Sequence, residues 1–190
     1  MGEFLMEKTN MNGVYLINSY STEDSRGYFV KDFEKEIFAQ NGLDIDIYES
    51  FESFSLENVI RGLHFQTNEP QAKLVRAITG EILDVIVDLR DGSDTFGKWE
   101  RFYLTERKRK SLFIPKGFAH GFCVLSKTAI VSYKCVGKYH SGTDSGIVWN
   151  DEDLSINWEV QNPIISERDS ALMTFKDFIK DFNALLKEPR

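Results

Sequence analysis

Apolar and polar residues alternate with a period of two in short runs along the chain. In EILDVIVDLR, residues 81 to 90, Val85, Val87 and Leu89 fall on one face and Asp84, Ile86 and Asp88 on the other, which predicts a strand between two unlike environments. Further strand-like runs lie at 14–18, 27–33, 46–55, 73–79, 99–105, 111–115, 121–126 and 129–136. Gly80, Asp91-Gly92, Pro115-Lys116-Gly117 and Gly137 separate them with residues suited to reversals. Many closely spaced strands with few helices between them predict an all-β antiparallel sandwich or barrel.

Helical spacing appears in two segments. EKEIFAQNG, 34–42, predicts a short helix ended by Gly42 as a C′ residue. The segment 174–188 sets Phe175, Phe178, Ile179, Phe182, Leu185 and Leu186 on one stripe behind Thr174, a candidate N-cap, and predicts an amphipathic C-terminal helix. Its polar face mixes Lys with Asp, so the stripe is expected to pack on the barrel or on a partner subunit and not on a membrane.

Composition narrows the function classes. The chain has 190 residues, 42% of them hydrophobic and 13% aromatic, enough for one folded domain spanning 1–190. A net charge of -7 argues against a nucleic-acid surface, and the one basic run, Arg107-Lys108-Arg109-Lys110, reads as a solvated turn. Cys123 and Cys135 have no metal-site spacing and are expected as buried free thiols. No 18 apolar residues run together and the N-terminal stretch lacks the signal-peptide pattern, so a cytoplasmic protein without a membrane partner is expected.

The chemistry concentrates around few residues. Of three histidines, His64 and His120 lie in glycine-containing motifs, RGLHFQ and IPKGFAHGF. Imidazoles from separate strands at a barrel mouth suit Fe, Ni, Cu or Zn. PKGFAH resembles the second motif of the cupins, P-x-G-x-x-H, and residues 58–80 occupy the place of the first, where a metal-binding cupin carries His-x-His and then a carboxylate. Here the pattern reads His64-Phe65-Gln66, Lys73 adds a positive charge, and Glu69 is the substitute acid. Two histidines make too small a ligand set, so neither a metal nor a cofactor is expected. A metal-dependent cupin, dioxygenase or sugar isomerase, is the rival enzyme class.

DSRGYF (24–29), VIRGLHFQ (59–66), QAKLVRAITGEILDVIVDLRDGSDTFGKW (71–99), FIPKGFAHGF (113–122), SYKCVGKYH (132–140) and WNDEDLSINW (149–158) follow one another in order. Together they resemble the dTDP-4-dehydrorhamnose 3,5-epimerase family, from about Gly13 to Asp169. The resemblance implies a double-stranded β-helix, the cupin or jelly-roll-like barrel, with a few short flanking helices. It also implies a metal-free inversion at C3, C5 or both of a nucleotide-linked 4-keto-6-deoxyhexose, dTDP-4-dehydro-6-deoxy-D-glucose above all, to give dTDP-4-dehydro-L-rhamnose. A ketone at C4 acidifies the protons on C3 and C5, so a base on one face and an acid on the other can invert each centre through an enolate. By position, His64 resembles the family's base, Asp169 the carboxylate that orients it, Lys73 the cation facing the oxyanion, and Tyr133 the acid. His120 is implied beside the sugar ring. Arg26 and Arg61 match arginines that contact the diphosphate, Tyr139 and Asp144 lie toward the nucleotide end, and Phe29 matches a ring in the entry region.

The chain departs from the family ahead of RGLH. Where Gln-x-Asn-x-Ser-x-Ser is usual, Glu49 and Phe51 replace the Gln and Asn that help recognise the nucleoside, and Lys31 replaces an acid two residues after DSRGYF. A carboxylate accepts hydrogen bonds but cannot donate them as an amide does, so base recognition is expected to differ, with Glu49 and Lys31 as an exchanged pair. Plain structural readings compete at two positions: Arg61 as a partner of Asp84 or Asp88, and Phe29 as core. A third function class is a non-catalytic sugar-nucleotide-binding protein. The alternating 46–55 segment predicts an exposed edge and a homodimer formed by strand exchange.

Overall fold

A computed structural model describes residues 4–185, with side chains through residue 181. Thirteen strands and three helices follow one another. They are β1 (Leu5–Lys8), β2 (Tyr15–Asn18), β3 (Tyr20–Asp24), β4 (Gly27–Lys31), α1 (Lys35–Gln40), β5 (Ile47–Leu56), β6 (Ile60–Gln66), β7 (Ala72–Thr79), β8 (Glu81–Asp88), β9 (Trp99–Thr105), β10 (Lys110–Ile114), β11 (Phe118–Val124), β12 (Thr128–Val136), β13 (Asp144–Gly146), α2 (Glu167–Ser170) and α3 (Phe175–Leu185).

The strands form a six-stranded sheet ordered β1-β2-β10-β7-β12-β5 and a five-stranded sheet ordered β13-β6-β11-β8-β9, both antiparallel throughout, while β3 and β4 pair as a separate hairpin. This is the expected cupin barrel. Between the sheets, Val75, Ala77, Ile82, Ile86, Phe122 and Val131 belong to one buried cluster. The far faces are covered too: Phe38, Leu43 and Ile45, from α1 and the turn after it, pack on the six-stranded sheet, and α3 brings Phe175 onto Leu83, Val85 and Val87. The period-two pattern of β8 therefore reads two different apolar layers, with Asp84 and Asp88 on the barrel side.

RGLHFQ, outside the runs read as strands, is itself most of a strand, β6. Its alternation, Leu63 and Phe65 against His64 and Gln66, runs over only four residues after Gly62. β1, β3, β13 and α2 also escaped the pattern, being five residues or fewer. The basic run is more than a solvated turn: Arg109 pairs with Glu23 at 2.7 Å and lies 4.2 Å from the centre of the Tyr28 ring, tying the β3–β4 hairpin to the β9–β10 turn.

The helix expectations fare well where they can be followed. Gly42, with φ +83°, follows Asn41 at the end of α1. The Asp177 amide donates to Thr174 Oγ1 at 3.1 Å, capping α3. Phe175, Phe178 and Ile179 pack on the barrel. The side chains of Phe182 and Leu185, and the rest of the expected helix from Leu186 on, lie outside the described residues. Both cysteines are buried and free, and burial pushes each thiol up to about 11. Among the described residues no helix is long and apolar enough to cross a membrane.

Candidate active site

Register brings the chemistry together at one end of the barrel. His64 on β6 lies across from His120 on β11, Lys73 on β7 from Cys135 on β12, and Tyr133 on β12 from Phe51 on β5. Deeper along the same inward faces, Lys73 gives way to Val75 and Ala77, and Tyr133 to Val131 and Ala129, all buried. One end of the barrel is thus sealed with aliphatic side chains and the other carries the polar groups. Close passage of β6 against β11 needs glycine on both: a Cβ on Gly62 would stand 2.6 Å from Gly121 Cα, and one on Gly121 2.6 Å from Arg61 O.

Two neighbouring cavities open there, sharing Phe51, His64 and Lys73 in their walls. The inner one, about 200 Å³, is completed by Arg61, His120 and Tyr133. The outer, about 370 Å³, is completed by Glu49, Gln71, Tyr139, Asp144 and Arg168. The size and the mixture of rings with a few polar groups suit a small ligand.

His64 Nε2 lies 2.8 Å from Asp169 Oδ1, and Asp169 Oδ2 accepts the Gly62 amide at 3.0 Å. Asp169 stands three residues after Ser166, whose hydroxyl accepts the Asp169 amide and caps α2. Its side chain is left free to turn toward β6. Burial pushes the Asp169 carboxyl up, but the bonds from His64 and Gly62 and the charges of His64 and Arg168 outweigh it and hold it below its ordinary value. A carboxylate fixed on Nε2 leaves Nδ1 as the ring nitrogen available to a ligand.

A second pair sits deeper. His120 Nε2 is 2.8 Å from Asp84 Oδ2, and Asp84 is fully buried. Burial raises the Asp84 carboxyl against the opposing pull of His120 and Lys73. Burial likewise lowers the Lys73 ammonium, opposed by Cys135, Asp144 and Asp84. The Tyr133 phenol is pushed up by burial and by the Asp84 charge, with Ser53 and Arg61 pulling the other way. Its ring is stacked on Phe51 at 4.8 Å and meets His120 edge-on at 6.1 Å.

Around the outer cavity, Asp144 Oδ2 accepts from Tyr139 at 2.9 Å and from Arg168 at 2.6 Å. Glu49 Oε1 accepts from Gln71, which also reaches Gly137 O. Arg61 donates to Ser55 Oγ and Phe54 O, not to Asp84 or Asp88. Two expected site residues are elsewhere. Arg26 is bonded to Asp24 and, with Phe29, lines a separate recess of the exposed β3–β4 hairpin; Phe29 is not core. Lys31 pairs with Glu34, so the Glu49–Lys31 exchange is not made. Glu69 pairs with His140 at 2.7 Å, away from His64 and His120 as a would-be third ligand.

Sequence reading missed Arg168, Gln71 and the role of Asp84. A basic residue next to Asp169 pointed to Arg168. An acid inside an otherwise apolar strand pointed to Asp84.

The family model described as dTDP-4-dehydrorhamnose 3,5-epimerase matches residues 8–177. The chain belongs to this epimerase family. A relative of that name from Methanothermobacter thermautotrophicus is 49% identical over 172 residues, 89% of this chain and 93% of its own. A crystal structure of the epimerase from Bacillus anthracis with TDP and PPi bound superposes with a TM-score of 0.88 at 38% identity, covering 91% of this chain and all of that one. The Legionella pneumophila epimerase in complex with dTDP-4-keto-L-rhamnose gives 0.88 at 34% identity, covering 92% and 94%. The matched span holds both cavities, Asp169 and the hairpin with Arg26, while α3 continues past it. The epimerase is an enzyme of the isomerase class.

Proposed function

We propose that this epimerase, acting as one cupin-type domain, inverts C3, C5 or both of dTDP-4-dehydro-6-deoxy-D-glucose, toward dTDP-4-dehydro-L-rhamnose. The observation that carries the reading is that His64, Lys73 and Tyr133 line one cavity while Asp169 holds the far nitrogen of His64. His64 Nδ1 takes the proton from the carbon next to the C4 ketone, and the electron pair moves into an enolate. Asp169, kept ionised, stabilises the imidazolium that forms. The Lys73 ammonium faces the enolate oxygen, where a fixed charge in a confined site favours the anion over the ketone. Tyr133 returns a proton to the opposite face, the centre inverts, and His64 and Tyr133 recover their protonation from water. No electron acceptor is consumed.

The outer cavity takes the nucleotide. Arg168, in the outer cavity, and Arg61, in the wall of the inner one, supply guanidinium groups for the diphosphate. Glu49, Tyr139 and Asp144 border the base and ribose, and His120 lies beside the sugar. Arg26 and Phe29 project from a hairpin outside this cavity, so they serve the site of a second copy in a homodimer. β5 ends its sheet and exposes Tyr48, Phe54 and Leu56, an edge and face suited to that contact.

Incubation with dTDP-4-dehydro-6-deoxy-D-glucose in D2O is expected to place deuterium at C3, C5 or both, with inverted product visible by NMR. Absence of exchange with this substrate and with CDP-, GDP- and UDP-linked analogues would sink the reading. Light scattering should give a dimer at micromolar concentration; a monomer would refute the assignment of Arg26.

A further inference from the structure

Phe51 stands where the two cavities meet, and the same observation gives it a task other than holding a nucleoside. It lies directly across from Tyr133 in the β5–β12 ladder, and the two rings stack at 4.8 Å with only 17° between their planes. Phe51 is 48% exposed whereas Tyr133 is 7% exposed. A half-exposed ring on an edge strand adds little to a core. What it does here is cover one face of the tyrosine ring, while His120 abuts that ring edge-on. Ser53, the next inward residue on β5, is too small to replace that cover.

Resting on the reading of Tyr133 as the acid, we propose that Phe51 is a positioning residue for proton delivery, holding the phenol in its plane and closing that side of the cavity to water. Inversion requires that the enolate be protonated from the Tyr133 face before it recaptures a proton from His64. A phenol free to swing loses the alignment that makes its transfer effective. Water admitted beside it replaces a fixed donor with one held in no alignment to the enolate carbon. Return from the His64 side regenerates the starting sugar, now carrying solvent deuterium if the imidazolium has exchanged. The Phe51–Tyr133 stack thus controls how enolate divides between inversion and return, and not how fast it forms.

The test follows both fates in D2O with Phe51→Leu, which keeps an apolar residue without the ring, and Phe51→Tyr, which keeps the ring. Phe51→Leu is expected to lower kcat for inversion by about tenfold to a hundredfold. Its KM should stay within about twofold of wild type, since no ground-state contact is removed. Deuterium should still enter recovered, uninverted substrate, and Phe51→Tyr should restore the wild-type ratio of inversion to return. A rise in KM with kcat unchanged would make Phe51 a nucleotide contact and overturn the proposal. So would inversion and exchange falling together, or no rescue by Phe51→Tyr. If Phe51→Leu melts early, Phe51→Met gives the same comparison. Failure of the underlying reading has its own sign: Tyr133→Phe inverting as fast as wild type.

Discussion

His64 and His120 each set Nε2 2.8 Å from an aspartate oxygen, on neighbouring strands of one sheet, yet the surroundings of the two pairs differ. The His64 side chain is 27% exposed and lines both cavities; that of His120 is 4% exposed and borders the inner one alone. Asp169 gains a second bond from the Gly62 amide, and its carboxyl is held down. Asp84 Oδ1 has no hydrogen-bond partner among the described residues, and its carboxyl is pushed up. A His–Asp pair becomes a base only where the ring can meet a ligand and the acid is kept charged to stabilise the imidazolium. The distance between the two groups does not distinguish the cases; the surroundings of the carboxylate do.

Neutralising each acid in turn tests this asymmetry. Asp169→Asn is expected to cost about a hundredfold to a thousandfold in kcat/KM, within the range of general acid–base contributions, while Asp84→Asn costs less than about tenfold. Steady-state rates on the dTDP-linked sugar measure both. Comparable losses would erase the distinction between the pairs.

Lys73 ranks next. It borders both cavities, and burial favours its neutral form, which sharpens the question of whether its charge is used. Lys73→Met is expected to lower kcat by about a hundredfold, the usual effect of losing one preorganised group facing an oxyanion, with KM nearly unchanged. A change confined to KM would move Lys73 from the enolate to the nucleotide.

A smaller effect extends the comparison along β8 itself. Asp88 is as buried as Asp84 but accepts from Arg90, Ser93 and Thr95. Burial pushes its carboxyl up, and those bonds overcome it and lower it from 3.8 to about 2. Because the folded value is the lower one, the stabilisation is complete above about 3.8 and disappears as pH falls through about 2. Its size is on the order of 2 kcal/mol. Denaturant melts between pH 5 and pH 2 should show wild type losing stability over that window and Asp88→Asn losing less, from a lower starting stability; parallel curves would contradict it.

The same contrast explains what could be read in the sequence. Strands with one distinct partner layer on each face, such as β8 and β12, kept their alternation, and Val131, Tyr133 and Cys135 point into the barrel as the period implies. β6 gave a weaker signal because Gly62, needed for a close passage against β11, leaves only Leu63 to Gln66 to alternate. The motifs around His64, Lys73, Tyr133 and Asp169 marked them as candidates, and the fold brings them to one site. Their spacing across 105 residues, from His64 to Asp169, is closed only by the fold. Arg26 and Phe29 carry the right motif on a hairpin that leaves this chain's own cavity, a displacement no local pattern encodes. The Glu49–Lys31 exchange failed for a similar reason: Glu34 is three residues from Lys31 and takes its charge first.

The most direct test compares the two histidines by the step assigned to only one of them. Deuterium entry at C3 and C5 of dTDP-4-dehydro-6-deoxy-D-glucose is followed by NMR for His64→Asn and His120→Asn. The account predicts that His64→Asn abolishes exchange, by about a thousandfold or more, while His120→Asn keeps it within about tenfold of wild type. Exchange that survives in His64→Asn, or is lost in His120→Asn alone, would contradict it.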